Sequence, residues 1–238
     1  MIKKVVVAAA GQGTRMLQLT KHKPKHLINV LKKPFLAYLL DNLIEAGYSD
    51  LFLIVGYHAE LMADFLKKYN YKAKVINQFE ILGKDKYGTA CPIKCVKNII
   101  GNENFLVVYG DNLYSINDLK DFNIDDNYTY IGGYFVFNPQ KYGVLTSEDG
   151  FLKEIIEKPK TFMGNLINAG LYKFTPEIFK KVEQISISLR GEYELTDAIS
   201  LLAKERKVKI KEIKDYWLDF GNPADIMKLS KFLKNNQK

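Results

Sequence analysis

The stretch AAAGQGTRM, residues 8–16, stands directly behind the apolar run Val5-Val6-Val7. Gly11 and Gly13 allow backbone amides to approach phosphate oxygens, and Arg15 adds a planar cationic fork. On these residues alone the turn serves either a phosphate or a tight strand exit. Two familiar phosphate turns are excluded. A dinucleotide fingerprint needs a third glycine where Met16 stands and an acid about 20 residues further on, yet none occurs before Asp41. A P-loop needs Lys-Ser/Thr directly after its last glycine, and Thr14-Arg15 follows Gly13 instead. Ten residues beyond Arg15, Lys25 lies on a loop pinned by Pro24.

Charge concentrates around this turn. Lys3, Lys4, Arg15, Lys21, Lys23, Lys25, Lys32 and Lys33 fall in the first forty residues with no Asp or Glu among them, and the rest of the chain carries 27 basic against 27 acidic residues. The net charge of +8 therefore belongs to one segment. A compact cationic segment suits a compact polyanion such as a nucleoside triphosphate, whereas nucleic-acid surfaces spread their cations or interleave them with aromatics. No nucleic-acid partner is expected.

The elements that must position these groups alternate. Runs rich in Val, Ile and Phe at 3–10, 51–57, 73–77 and 104–112 read as buried strands, and 34–47, 59–69 and 89–100 as helices. In the second half, 128–138, 151–159 and 167–174 read as antiparallel strands, with helices near 176–184, 195–205 and 223–235. This is the pattern of an α/β protein, in which ligands sit outside the carboxyl ends of the strands. Both AAAGQGTR and VVYGDN (107–112) occupy such ends. The 238 residues suffice for one large core burying roughly 70–75% of the unfolded surface, so residues 1–238 read as one domain. No apolar run approaches a membrane span, the amino terminus lacks a secretory signal, and a cytoplasmic protein without a membrane partner is expected. Cys91 and Cys95 read as small buried apolar residues.

Taken together, GQGTRMLQLTKHKPKHL resembles the G-x-G-T-R…P-K signature of sugar-phosphate nucleotidylyltransferases, especially the glucose-1-phosphate thymidylyl- and uridylyltransferases. The resemblance recurs in the family's order through YGTA (87–90), VVYGDNLY, KYGVL (141–145), EIIEKPK (154–160), INAGLYKF (167–174), RGEYELTDAI (190–199) and YWLDFGNPADI (216–226). It implies a Rossmann-like three-layer α/β/α sandwich with a mixed, mainly parallel central sheet, the nucleotide-diphospho-sugar transferase fold. It also implies transfer of a nucleotidyl group from UTP or dTTP to a sugar 1-phosphate, glucose-1-phosphate first among them, with Mg²⁺ as cofactor and pyrophosphate as the second product. Relatives that use mannose-1-phosphate with GTP, or CTP, stay open, as does a silent regulatory subunit, although such subunits usually lose a charged group. Homo-oligomers occur in the family. The family's hexapeptide-repeat β-helix is not seen, and a stand-alone transferase domain is expected.

By the same resemblance Ala10, Gly11, Gly13 and Thr14 take the nucleotide, Arg15 the leaving pyrophosphate and Lys25 the α-phosphate. Gln78 and Gly88 face the base. Gln78 lies ten residues before Gly88, a longer spacing than the family's, and the intervening KDKY is expected to form a flap over the site. Asp111 and Asp219 resemble the family's metal aspartates. On the residues alone, the first is also a turn residue and the second a helix cap, but if their strands end side by side they can share one hard cation. Lys158 is implied to meet the sugar phosphate, Glu157 and Asn168 the sugar's hydroxyls, and Gly143 to let a backbone amide reach the sugar.

Overall fold

The computed structural model describes residues 1–11 and 13–236, without the side chains of Thr14 and Leu17. Its strands in chain order are β1 (Lys4–Ala9), β2 (Asn29–Val30), β3 (Lys33–Pro34), β4 (Asp50–Val55), β5 (Ala73–Asn77), β6 (Phe105–Tyr109), β7 (Asn112–Tyr114), β8 (Thr129–Phe135), β9 (Gly143–Glu148), β10 (Phe151–Glu157), β11 (Leu166–Phe174), β12 (Val208–Glu212) and β13 (Trp217–Asp219). The helices are α1 (Phe35–Glu45), α2 (Ala59–Lys68), α3 (Gln78–Leu82), α4 (Cys91–Ile100), α5 (Ile116–Asp121), α6 (Glu177–Gln184), α7 (Leu195–Lys204) and α8 (Ala224–Asn236).

Nine strands form one twisted sheet in the order β5-β4-β1-β6-β11-β8-β12-β10-β9. The first four pair in parallel, β11 reverses direction against β6, and β8 and β12 are again parallel within an otherwise antiparallel half. The mixed α/β sandwich is thus the expected one. Its inner parallel strands β1, β4 and β6 are nearly unbroken apolar runs because both faces are covered. Val5, Val7, Leu51, Leu53, Leu106 and Val108 enter one core with α1, α2, α5 and α8, while Val6, Phe52, Ile54, Phe105 and Val107 enter the other with α4, α6 and α7. Helix α1 starts behind Pro34 and stops before Gly47, whose φ of 98° no other residue type adopts comfortably. No helix among the described residues is long and apolar enough to cross a membrane.

Several elements exceed the sequence reading. Helices α3 and α5 and strand β12 lie in stretches for which the sequence predicts no element, and β9 extends the KYGVL segment (141–145), which the resemblance makes a strand, as far as Glu148. A two-stranded ribbon joins β7 to β13, pairing Asp219 with Asn112 across more than a hundred residues. The expected flap is also more firmly held than its charge suggests. Gln78 Nε2 donates to the Lys86 carbonyl at 3.4 Å, and Tyr193 N donates to the Tyr87 carbonyl at 2.9 Å. Cys91 and Cys95 are both buried and unbridged.

Candidate active site

At the carboxyl edge of β1 and β6 lies a cavity of about 440 Å³, within the usual range for small-molecule sites. Its wall includes Ala10, Gly11, Gly13, Arg15, Lys25, Gln78, Gly88 and Asp111, eight of the residues singled out in the sequence. Gly13 has φ 68° and caps a 3₁₀ turn over Thr14–Thr20, and a Cβ there would stand 3.3 Å from Lys25 Cβ. The glycine therefore both permits the left-handed bend and brings the loop down onto the lysine. Thr14 is in that turn, but its side chain lies outside the described residues.

Lys25 opens a second short turn, Lys25–Leu27, and is itself buried. Its ammonium donates to Asp111 Oδ2. Burial pushes the Asp111 carboxyl up, but the Lys25 charge, His26 and hydrogen bonds outweigh it, and the net shift is downward. Asp219 approaches from β13. Phe220 N donates to the Asp111 carbonyl at 2.8 Å, and the Phe220 ring stacks on Phe35 at a centroid distance of 4.4 Å, anchoring the ribbon to α1. Burial, followed by the Asp111 and Asp225 charges, pushes Asp219 up to about 6, and Arg15 only partly offsets this. Arg15 and Asp219 both approach Gly221, each with an atom within 3.4 Å of the position a Cβ would take there.

The Asp219 turn depends on Asp225, which sequence reasoning passed over. Its buried Oδ2 accepts from Gly221 N at 2.9 Å, Asn222 N at 2.9 Å and Asn222 Nδ2 at 2.7 Å. Asp225→Ala leaves these donors unpaired and is expected to cost about 2 kcal/mol, or roughly 4–8 °C in melting temperature. It should lower turnover as well, since Asp219 loses its support. A thermal melt and an activity assay on the same preparation check both.

The remaining residues lie beyond the cavity wall, toward β9, β10 and β11. Gly143 pairs with Glu157 across β9 and β10, and a Cβ on Gly143 would meet Glu157 Oε1 at 3.0 Å. The missing side chain thus makes room for a carboxylate, a reason the sequence did not reveal. Partial burial pushes Glu157 up, Arg190 pulls it back, and Glu194 adds to the upward push. Lys158 has φ 45°, a left-handed conformation costing a non-glycine residue about 1–3 kcal/mol, and its N–H is held by the Tyr142 carbonyl at 3.0 Å. Such strain concentrates at functional positions. Asn168 donates to Tyr172 Oη at 2.9 Å and accepts from Gly170 N at 3.1 Å; Tyr172 in turn donates to Tyr109 Oη at 3.2 Å, and Tyr109 lines the cavity.

His26, Tyr87, Thr89, Tyr109 and Glu192 also line the cavity; they lie within the motifs that carry the resemblance, but the sequence assigns none of them a role of its own. His26 is 1% exposed, and its Nδ1 has no hydrogen-bond partner among the described residues. Burial, then the neighbouring Lys25 charge, lowers its pKa to about 3, so it is a neutral imidazole. Its only signal was adjacency to Lys25 in a loop that otherwise reads as solvated.

A glycine loop and cations at the carboxyl edge of a parallel sheet define the class of α/β protein whose ligands sit at that edge. Residues 4–236 match the family model described as "Nucleotidyl transferase", and the chain belongs to that family. It is 38% identical over 230 residues to "Bifunctional protein GlmU" of Methanocaldococcus jannaschii, covering 96% of this chain and 53% of that protein. It is 32% identical over 232 residues to "Mannose-1-phosphate guanyltransferase 2" of Candida glabrata, covering 94% and 63%. The chain thus spans about half the length of the first relative. A solved UDP-glucose pyrophosphorylase complexed with UDP-glucose superimposes with a TM-score of 0.84 at 25% identity over all of both chains.

Proposed function

We propose that the chain transfers a nucleotidyl group from UTP or dTTP to a sugar 1-phosphate, glucose-1-phosphate in the first instance. A phosphate oxygen of the sugar attacks the α-phosphorus, the bond to the bridging oxygen breaks, and its electron pair leaves with pyrophosphate. Two anions must meet, so the protein's task is to cancel their repulsion and hold them in line. Gly11 and Gly13 bring amides to the triphosphate, Arg15 holds the departing pyrophosphate, and Lys25 neutralises the α-phosphate. Ala10, Gln78 and Gly88 face the base. Glu157, Asn168 and Gly143 form the sugar side, with Lys158 on its phosphate.

The observation that carries this reading is the convergence of Arg15, Lys25 and Asp111 on one cavity, with Asp219 brought to Asp111 by the β7–β13 ribbon. The two carboxylates are hard oxygen donors, and Asp219 is raised by its burial and then by the Asp111 and Asp225 charges, so a further cation there would be stabilised. Among the described residues no cluster of three or more His, Cys, Asp or Glu gathers as a cage. That fits Mg²⁺, which takes one or two carboxylates and leaves its other positions to water and substrate phosphates. Held by Asp111 and Asp219, Mg²⁺ would supply further neutralisation at the phosphate oxygens.

The test is a matrix of UTP, dTTP, GTP, CTP and ATP against several sugar 1-phosphates with Mg²⁺, scored by pyrophosphate release. UTP or dTTP with glucose-1-phosphate should lead. A lead by GTP with mannose-1-phosphate would overturn the substrate assignment, and no release in any cell would overturn the activity. Lys158→Ala should raise KM for the sugar phosphate by about tenfold to a hundredfold, the loss of one hydrogen bond to a charged group. The nucleotide KM should barely move. A change in the nucleotide KM alone would show the half-sites to be reversed.

A further inference from the structure

Asn168 and Tyr172 stand four residues apart on β11, and a regular strand would separate their Cα atoms by about 13 Å. Yet their side chains meet: Asn168 Nδ2 donates to Tyr172 Oη at 2.9 Å. The strand allows this by breaking its register against β8 between the two residues, with Gly170 in the left-handed region at φ 71°. A Cβ on Gly170 would stand 2.4 Å from Tyr109 Cδ2, so the same glycine lets the Tyr109 ring close on the strand. Tyr172 Oη then donates to Tyr109 Oη at 3.2 Å.

These bonds can run in one direction only. Asn168 Oδ1 accepts from Gly170 N at 3.1 Å, which turns the amide so that its NH₂ faces Tyr172. An NH₂ can only donate, so the Tyr172 oxygen accepts there and its single proton goes to Tyr109. The Tyr109 proton is left for the cavity that Tyr109 lines, where Thr89 is its neighbour. Tyr172 itself is 0% exposed and shut off from any substrate. Its ring stacks on Phe174 at a centroid distance of 5.3 Å and lies edge-on to Tyr109 at 5.8 Å. The hydroxyl can therefore act only through the residues at its two ends.

We propose that Tyr172 is a positioning residue for the sugar: by pinning the Asn168 amide from behind, it makes the site choose between epimers of the sugar 1-phosphate. The inference rests on the sugar role given to Asn168 above. A pinned amide keeps its second N–H and its second carbonyl lone pair in one place. A hydroxyl of the wrong stereochemistry leaves them unpaired, which is how sites built on hydrogen bonds reject analogues. An amide free to swing would follow either hydroxyl and tell the epimers apart poorly.

Tyr172→Phe removes the hydroxyl and keeps the ring. With the nucleotide saturating, KM for glucose-1-phosphate should rise by about fivefold to tenfold, the loss of one hydrogen bond. The preference for glucose-1-phosphate over galactose-1-phosphate or mannose-1-phosphate, taken as a ratio of kcat/KM, should fall by a similar factor for at least one of the two. The nucleotide KM should stay where it is, which a general loosening of the site would not allow. In an Asn168→Ala background, Tyr172→Phe should change the preference no further. Should Tyr172→Phe fail to fold, Tyr109→Phe, which removes the acceptor of the Tyr172 proton, should lower the same preference. A readout without turnover is the exchange of the Asn168 side-chain amide protons with water, followed by NMR and assigned by their loss in Asn168→Ala. It should be slow in wild type and on the order of tenfold faster in Tyr172→Phe. An unchanged epimer preference in the folded variants overturns the proposal, and so does amide exchange that stays slow. The functional reading fails separately, through the absence of pyrophosphate release with every substrate pair, and amide exchange then still decides whether Tyr172 pins Asn168.

Discussion

Asp111→Asn should lower turnover by about 10² to 10³ at saturating substrates and Mg²⁺, the loss expected when one preorganised electrostatic contact is removed. The substitution keeps the planar shape of the side chain, so the β7–β13 ribbon, with Phe220 N on the Asp111 carbonyl at 2.8 Å, stays as it is. Only the charge changes. Two groups lose their anionic partner at once: the metal, which Asp219 alone would hold, and Lys25, whose ammonium donates to Asp111. Because the acids act as a unit, Asp219→Asn should cost a similar factor, and the double variant should fall well short of the product of the two. Circular dichroism on each variant separates a chemical loss from an unfolded chain. Full activity in Asp111→Asn would remove the basis of the metal assignment.

The parts of this site visible in the sequence are those that depend on local chemistry. Gly11, Gly13 and Arg15 could be read because a glycine turn behind a buried strand is a short-range feature, and the strand was legible because β1 is apolar on both faces. The ribbon that joins Asp111 to Asp219 could not be read. Its strands are three residues each, too short to show a period, and its pairing spans more than a hundred residues. Helix α3 was hidden for a related reason. It is a single turn capped by Asn77, whose side chain accepts from Phe79 N at 3.0 Å, and one turn has no repeat to detect. Gln78, at the start of this turn, and Gly88 line the same cavity.

Charge misleads more than apolarity does. Lys173, in a strand that reads as antiparallel, is wholly buried, with its ammonium donating to the Asp126 carbonyl at 2.6 Å, Asp126 Oδ1 at 3.0 Å and the Tyr128 carbonyl at 2.7 Å. Burial pulls its pKa down and Asp126 pulls it back, the net shift being downward. Nothing local announces three acceptors supplied from about 45 residues away. His26 is the same lesson inside the site, a side chain in a basic loop that tertiary packing takes out of water.

Gly88→Ala should be the most damaging substitution outside the charged groups. The resemblance assigns Gly88 to the base, but the structure gives the missing side chain a different reason. A Cβ at this position would stand 2.4 Å from both the N and the O of Tyr193, and φ is 129°, where L-residues are strained. The same seam is closed by Tyr193 N on the Tyr87 carbonyl and Ala90 N on the Tyr193 carbonyl, each at 2.9 Å, and by Leu195 N on Thr89 Oγ1 at 2.8 Å. Backbone cannot yield as a flexible side chain does, so the two segments must part. The cost is about 1–3 kcal/mol of strain plus about 1 kcal/mol for each of the three hydrogen bonds broken, or roughly 4–6 kcal/mol in all. At about 2–4 °C per kcal/mol for a chain of this size, the melting temperature should fall by about 8–24 °C. Because the seam ties the base-side turn to the segment carrying Glu192 and Glu194, KM should rise for both nucleotide and sugar phosphate, in the fraction that remains folded. A variant that melts normally and loses affinity for the nucleotide alone would show Gly88 to be a base contact and nothing more.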